Sequence, residues 1–242
     1  MIFGPGLKIF KLRGVPVEIT IFGLLIILIF VLPLGNRRGA DLASCLLLAA
    51  GVFLTILLHE MAHMVVGSLL GAKVIAVKLD VINGLTLFGE RPLALPRYLL
   101  MLAAGPVVNL LLWQGCQLAA DHNFAPVLFS QLGRLNLFLA IVNLLPLYPL
   151  DGGRAAYAIL GWLSGQPKVS AILISLISGL LTLDFFLDIN GLYHQIYVGA
   201  FITVALAIWI LAGSINLFST SLGILKPREA AAPVVPPSEV VA

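Results

Sequence analysis

Long apolar runs alternate with short polar breaks along this chain, and the runs are close to the ~20 residues that a helix needs to cross a bilayer. They predict six spans: Ile19 to Leu34, Leu42 to about Leu70, Tyr98 to Ala120, about Pro126 to Leu147, Val169 to Leu187 and about Gln195 to Leu217. The second run is longer than a ~30 Å hydrocarbon core requires at ~1.5 Å per residue, so it must tilt or emerge at one end, and Gly67 and Gly71 permit close helix contact there. Between the second and third runs the pattern changes. Val74, Ile75, Val77, Leu79, Val81 and Ile82 are β-prone, and Asn83-Gly84 is the pair preferred by a type I′ turn, so a short hairpin is expected over Ala72 to Phe88. Bare strand edges are not tolerated in lipid, which places that hairpin at the interface or under protein cover. Residues 1–18, with Gly4, Pro5, Gly6, Gly14 and Pro16 among Lys8, Lys11 and Arg13, read either as an extended amphipathic segment at the interface or as a disordered leader. From Lys226 the composition turns to Ala, Pro and Val, which predicts a disordered tail over 226–242. The expected fold is therefore an all-α polytopic membrane protein of about six transmembrane helices with a small membrane-associated β-hairpin or sheet, its core spanning 19–225.

Composition supports a membrane solvent: 60% of residues are hydrophobic and 10% charged, against about 25% charged in soluble domains. No basic run suits a nucleic acid, and Cys45 and Cys116, both inside predicted spans, imply no disulfide framework. The first apolar run reaches Arg37-Arg38 without a small-residue cleavage site, so it reads as a span, not a signal peptide. Charge distribution then orients the chain. Lys8, Lys11, Arg13, Lys73, Lys78, Arg91, Arg97, Arg154, Lys168, Lys226 and Arg228 fall on one side of the predicted topology, against Arg37 and Arg38 on the other. By the positive-inside rule both termini are expected in the cytoplasm.

Polar residues inside apolar runs carry the candidate chemistry, because ionisable groups in a span are costly without a function. Leu58-His59-Glu60-Met61-Ala62-His63 is an H-E-x-x-H motif, whose histidines at i and i+4 share a helix face and can reach one Zn²⁺, with Glu60 beside them as a base. A chance motif on a buried helix is the bland alternative. The third run holds Gly105-Pro106-Val107-Val108-Asn109, where proline bends the helix and Asn109 places an amide at mid-depth, serving either packing or the site. The fourth run, interrupted by Arg134 and Asn136, leads into Asn143-Leu144-Leu145-Pro146 and Leu150-Asp151-Gly152-Gly153-Arg154. Its prolines break the helix and Gly152-Gly153 permits a tight turn, so Asp151 is expected on irregular backbone near a membrane face. The predicted topology brings His59, His63 and Asp151 to the same cytoplasmic side, which makes Asp151 a candidate third ligand for one zinc per chain. Asp184, Asp188 and His194 read as headgroup-region residues rather than a proton path.

These three blocks, in this order, resemble the site-2 protease family of intramembrane zinc metalloproteases. The resemblance implies zinc ligands at His59, His63 and Asp151, a catalytic glutamate at Glu60, and roles in substrate engagement or oxyanion stabilisation for Asn143, Asn109 and Pro146. It further implies single-span membrane-protein substrates cut within or near their transmembrane segments, and a membrane-associated sheet to which an unwound substrate can add as a strand. Met61-Ala62 replaces the more usual Leu-Gly between the histidines, and Tyr148 stands where many relatives have proline. With no room for a PDZ domain between spans and none for a CBS pair after them, a minimal catalytic core is expected. A non-catalytic relative that binds zinc or membrane segments is the alternative, disfavoured by the intact His59, Glu60, His63 and Asp151. A transporter using Arg134, Asp184 and Asp188 would show two similar halves, and none are visible.

Overall fold

Val17 and Ile19 alternate with Glu18 along one strand as Val77 and Leu79 alternate with Lys78 along another, and this period-two pattern builds a sheet with one apolar face. The computed structural model describes residues 7–12, 14–19, 42–79, 84–88, 93–192 and 197–223. Four strands, β1 (Leu7–Leu12), β2 (Val15–Ile19), β3 (Val74–Leu79) and β4 (Gly84–Phe88), form one sheet in the order β1-β2-β3-β4. The β1-β2 and β3-β4 pairs are antiparallel and the central β2-β3 pair is parallel, with Val17 opposite Val77 and Ile19 opposite Leu79. The expected hairpin over Ala72 to Phe88 thus exists, and the N-terminal segment joins it as a second hairpin instead of lying alone. Paired backbone is what makes that segment viable at a membrane, since its amides find partners in the sheet.

Among the described residues there are six helices: α1 (Leu42–Leu69), between β2 and β3, then α2 (Leu95–Asp121), α3 (Pro126–Leu144), α4 (Asp151–Ser164), α5 (Pro167–Leu192) and α6 (Tyr197–Ser221). The first predicted span beyond Ile19, the Asn83 side of the turn, His194 and the tail lie outside the described residues. Among those that are described, α1, α2 and α3 are long and apolar enough to cross a membrane, and Pro167–Thr182 and Ala207–Ser221 are shorter apolar helices. Leu46 and Leu47 on α1, Leu111 on α2 and Val127 on α3 are each more than half exposed. Apolar surface of that extent on consecutive helices needs lipid as its solvent, and the chain is an integral membrane protein.

The chain divides into two compact units, Met1–Arg91 with Ala103–Val142, and Pro92–Leu102 with Asn143–Ala242. In the first, the sheet's apolar face packs on α1: Val17, Ile19, Val77 and Leu79 meet Leu57 and Met64, with Phe53, Met61 and Val65 around them. The same helix packs elsewhere on α2 and α3 through Val52, Cys116 and Leu132. Gly51 makes that second contact close, since a Cβ there would fall 2.7 Å from Leu132 Cδ1. A helix covered from two directions is buried well beyond a single stripe, which explains why polar residues on α1 can be shielded from lipid.

In the second unit α4 packs on α5 and α5 on α6. α3 stops at Leu144 rather than at Leu147, and the chain from Leu145 to Leu150 is irregular, as Pro146 and Pro149 require. This segment is held by hydrogen bonds from the Tyr148 amide to Ser178 Oγ (2.8 Å) and from Ser214 Oγ to the Tyr148 carbonyl (3.3 Å). Pro149 rests where a Cβ on Gly213 would be.

Candidate metal centre

The i, i+4 spacing on α1 does what helix geometry dictates. His59 and His63 stack along one face with rings edge-to-face, centroids 4.8 Å apart and planes at 81°, and their Nε2 atoms lie 3.1 Å from each other. Glu60, one residue on and therefore about 100° round the helix, turns toward the sheet. All three side chains are buried, and their ligand atoms lie within 4.8 Å of one another.

Two imidazole nitrogens bound to one tetrahedral zinc at ~2.0–2.1 Å would stand about 3.3–3.4 Å apart, so the observed spacing fits a shared ion. A second feature supports that fit. α2 presents Gly105 to the histidines, and a Cβ there would collide with Nε2 of both rings and with Cε1 of His59. Glycine therefore lets α2 approach the two nitrogens closely, and the donors there are ones zinc favours.

The surrounding polar groups hold each side chain separately. His59 Nδ1 donates to Asn109 Oδ1 at 2.6 Å, Asn109 Nδ2 to Asn136 Oδ1 at 3.4 Å, and Asn136 Nδ2 to both Thr55 Oγ1 (3.1 Å) and the Leu132 carbonyl (2.8 Å). Asn109 and Asn136 are almost wholly buried, at 0% and 1% exposure, which such a network permits because each amide has partners. On the sheet side, Thr86 of β4 donates its hydroxyl to Glu60 Oε2 (2.9 Å), with the Glu60 carbonyl at 3.2 Å. The hydroxyl thus engages one oxygen of the carboxyl group, Oε2.

Asp151 belongs to the second unit. It is buried and is the first residue of α4, after Leu150 in extended conformation. The sequence places it on irregular backbone with a tight turn at Gly152-Gly153; instead both glycines are helical. A Cβ on Gly152 would strike the carbonyl oxygens of Leu144 and Leu145, and one on Gly153 the backbone of Leu147 and Tyr148. The glycine pair is therefore demanded by close approach of the preceding chain, not by turn geometry. Asn143 is buried in the last turn of α3, and Pro146 is exposed in the segment that follows.

Of the residues singled out in the sequence, His59, Glu60, His63 and Asn109 thus meet within the first unit, while Asp151, Asn143 and Pro146 lie in the second. Sequence reasoning passed over Thr55, Thr86, Gly105 and Asn136 as parts of this centre. Asn136 carried a usable signal, an amide inside an apolar run, and so did Thr55, one turn before His59. Thr86, in a strand, carried none.

The family model of peptidase family M50 matches residues 114–183, a stretch that includes Asp151 but not the H-E-x-x-H motif. A zinc metalloprotease of Methanocaldococcus jannaschii is 30% identical over 209 residues, covering 80% of this chain and 59% of that relative. A protein of Synechocystis named as a candidate zinc metalloprotease is 27% identical over 176 residues, 70% of this chain and 46% of its own length. The chain thus spans about half the length of the curated relatives it matches. The solved structure of a site-2 protease from Methanocaldococcus jannaschii superposes with a TM-score of 0.67 at 24% identity, over 88% of this chain and 95% of that one, which shows a shared fold.

Proposed function

We propose that the chain is a member of the site-2 protease family and, on that premise, a zinc endopeptidase that hydrolyses peptide bonds within or near transmembrane segments of membrane-protein substrates. The observation that carries this reading is the paired Nε2 atoms of His59 and His63 beside a carboxylate held by Thr86, all inside an apolar helix. Such a costly polar cluster in a span is expected to have a function.

His59 and His63 would hold one zinc per chain, and Asp151 is the proposed third ligand on the strength of its Leu150-Asp151-Gly152-Gly153-Arg154 block. When bound, zinc supplies Lewis-acid activation of a water and of the scissile carbonyl. The chain's own groups account for the rest. Glu60 accepts the proton of the attacking water at the carboxylate oxygen that Thr86 leaves unengaged, and then returns a proton to the leaving amine. Asn143 is proposed to donate to the developing oxyanion. Asn109 is read as the partner of His59, since its carbonyl oxygen faces that ring.

A membrane helix must unwind before it can be cut, because its carbonyls are committed to internal hydrogen bonds. β4 lies at one end of the sheet order and holds Glu60 through Thr86, so its outer edge is a place where an extended substrate can pair next to the base. The proposed orientation keeps both termini and the catalytic side in the cytoplasm, from the basic residues of the loops.

The test is cleavage of a single-span model substrate in liposomes by the wild type, Glu60→Gln and Asp151→Ala, with bound zinc quantified in each. The expected result is cleavage and one zinc per chain in the wild type, retained zinc without cleavage in Glu60→Gln, and lost zinc in Asp151→Ala. Zinc binding with no cleavage of any substrate by the wild type would replace this reading with that of a non-catalytic zinc-binding relative.

A further inference from the structure

The hydrogen bonds beside His59 have a direction, and one fixed group sets it. Asn136 sits on α3 with its amide near the Leu132 carbonyl of the preceding turn, 2.8 Å from Nδ2. A backbone carbonyl can only accept, so the NH₂ end of Asn136 must face it and Oδ1 must face the other way, toward Asn109. Asn109 then turns its own NH₂ to Asn136 Oδ1 and its carbonyl oxygen to His59 Nδ1, 2.6 Å away. An acceptor at that distance requires a proton on Nδ1. The neutral ring carries one proton, so Nε2, the atom 3.1 Å from its counterpart on His63, is left as a lone pair. Reversing Asn136 would set its oxygen against the Leu132 carbonyl, two acceptors in contact at a site sealed from water.

We infer that Asn136, whose hydrogen bonds run to Asn109, Thr55 and Leu132, is a positioning residue that fixes the tautomer of His59 through Asn109 and so holds Nε2 ready for a metal ion. The inference rests on the zinc reading above and adds to it the reason that a buried amide stands in α3. Burial strengthens the device: with both amides at or near zero exposure, water does not offer either amide an alternative partner. Thr55 Oγ1 accepts from Asn136 Nδ2 at 3.1 Å and gives the amide a partner on α1, while the Leu132 carbonyl alone fixes its direction.

Removing Asn136 frees Asn109 to rotate by half a turn and present NH₂ to Nδ1, which moves the ring proton to Nε2 and opposes metal binding. Asn136→Leu, similar in volume, is expected to weaken zinc binding by about tenfold to a hundredfold, the range for lost support of a metal-ligating histidine. Asn109→Asp in the Asn136→Leu background supplies an acceptor at either orientation, so it restores binding although the packing defect remains. A merely structural role for Asn136 would leave the double variant as weak as the single one.

A second readout reports the tautomer directly, without removing Asn136. The chain has 4 histidines, and His122→Asn with His194→Asn leaves only His59 and His63. In zinc-free, ¹⁵N-histidine-labelled protein, nitrogen shifts distinguish an Nδ1-protonated ring from an Nε2-protonated one, and the ring whose shifts move on Asn109→Asp is His59. The expected result is His59 protonated at Nδ1, with weakened zinc binding in Asn136→Leu that Asn109→Asp rescues. An Nε2-protonated His59, an Asn136→Leu protein that binds zinc like the wild type, or a loss without rescue would each overturn the inference. Absence of zinc from the wild type would instead overturn the metal reading, and the tautomer measurement would still decide the relay.

Discussion

Replacing Gly105 by alanine adds one methyl group at the point where α2 faces the paired histidines. That Cβ would lie 2.5 Å from His59 Nε2 and closer still to His63 Nε2, whereas real Cβ contacts essentially never fall under 3.0 Å. At least one ring must therefore withdraw by about 0.5 Å or more, against a tolerance of about 0.2 Å in metal-ligand distances. The rings cannot withdraw freely: Asn109 holds Nδ1 of His59, and α1 is packed against the sheet on another side through Leu57, Met61 and Met64. Forcing the methyl in should cost about 1–3 kcal/mol of stability, as overpacking usually does, without abolishing the fold. The expected outcome is a folded, inserted protein that has lost zinc and peptidase activity together. Equilibrium dialysis against buffered zinc measures the first, liposome cleavage the second, and thermal melting in detergent confirms the fold. Stoichiometric zinc in Gly105→Ala at wild-type affinity would refute the need for a close approach of α2 to the paired histidines.

Thr86→Val keeps the shape of the strand residue and removes the hydroxyl that bonds Glu60. Hydrogen bonds to charged groups contribute about 1.5–3 kcal/mol, so kcat should fall by about tenfold to a hundredfold with zinc content unchanged, and an unchanged kcat would leave Thr86 without a part in the reaction. Gly153→Ala drives a Cβ into the backbone of Leu147 and Tyr148. It should destabilise the second unit by about 1–3 kcal/mol, read as a lower melting temperature, while a conservative Ala158→Gly on the same helix should cost about 1 kcal/mol.

The membrane character, the helical runs and the metal-binding motif were legible because each depends on local sequence. Apolar run length is read directly against bilayer thickness, and H-E-x-x-H needs only a helix to bring His59 and His63 onto one face. The antiparallel pairing of β3 with β4 was likewise legible in the β-prone residues after Ala72, although Gly84 stands in β4 opposite Leu79 and not at the centre of a two-residue turn. α4 was missed because Gly152-Gly153 signals a turn when backbone freedom alone is considered. Its real cause is contact with Leu144, Leu145, Leu147 and Tyr148, residues whose approach is set by the whole break between α3 and α4.

By itself, then, the sequence determined the solvent of this protein, most of its helices and the placing of His59 and His63 on one helix face. Tertiary structure decided how those side chains are held. The N-terminal strands reach β3 only through long-range parallel pairing, which leaves no local periodicity beyond extended chain. Thr86, 26 residues from Glu60, and Asn136, 81 residues from Thr55, become partners only because the sheet and α3 pack on different sides of α1. Hydrogen bonds reach about 3 Å, so whether a buried amide orients a ligand or merely fills space depends on which atoms packing brings within that distance.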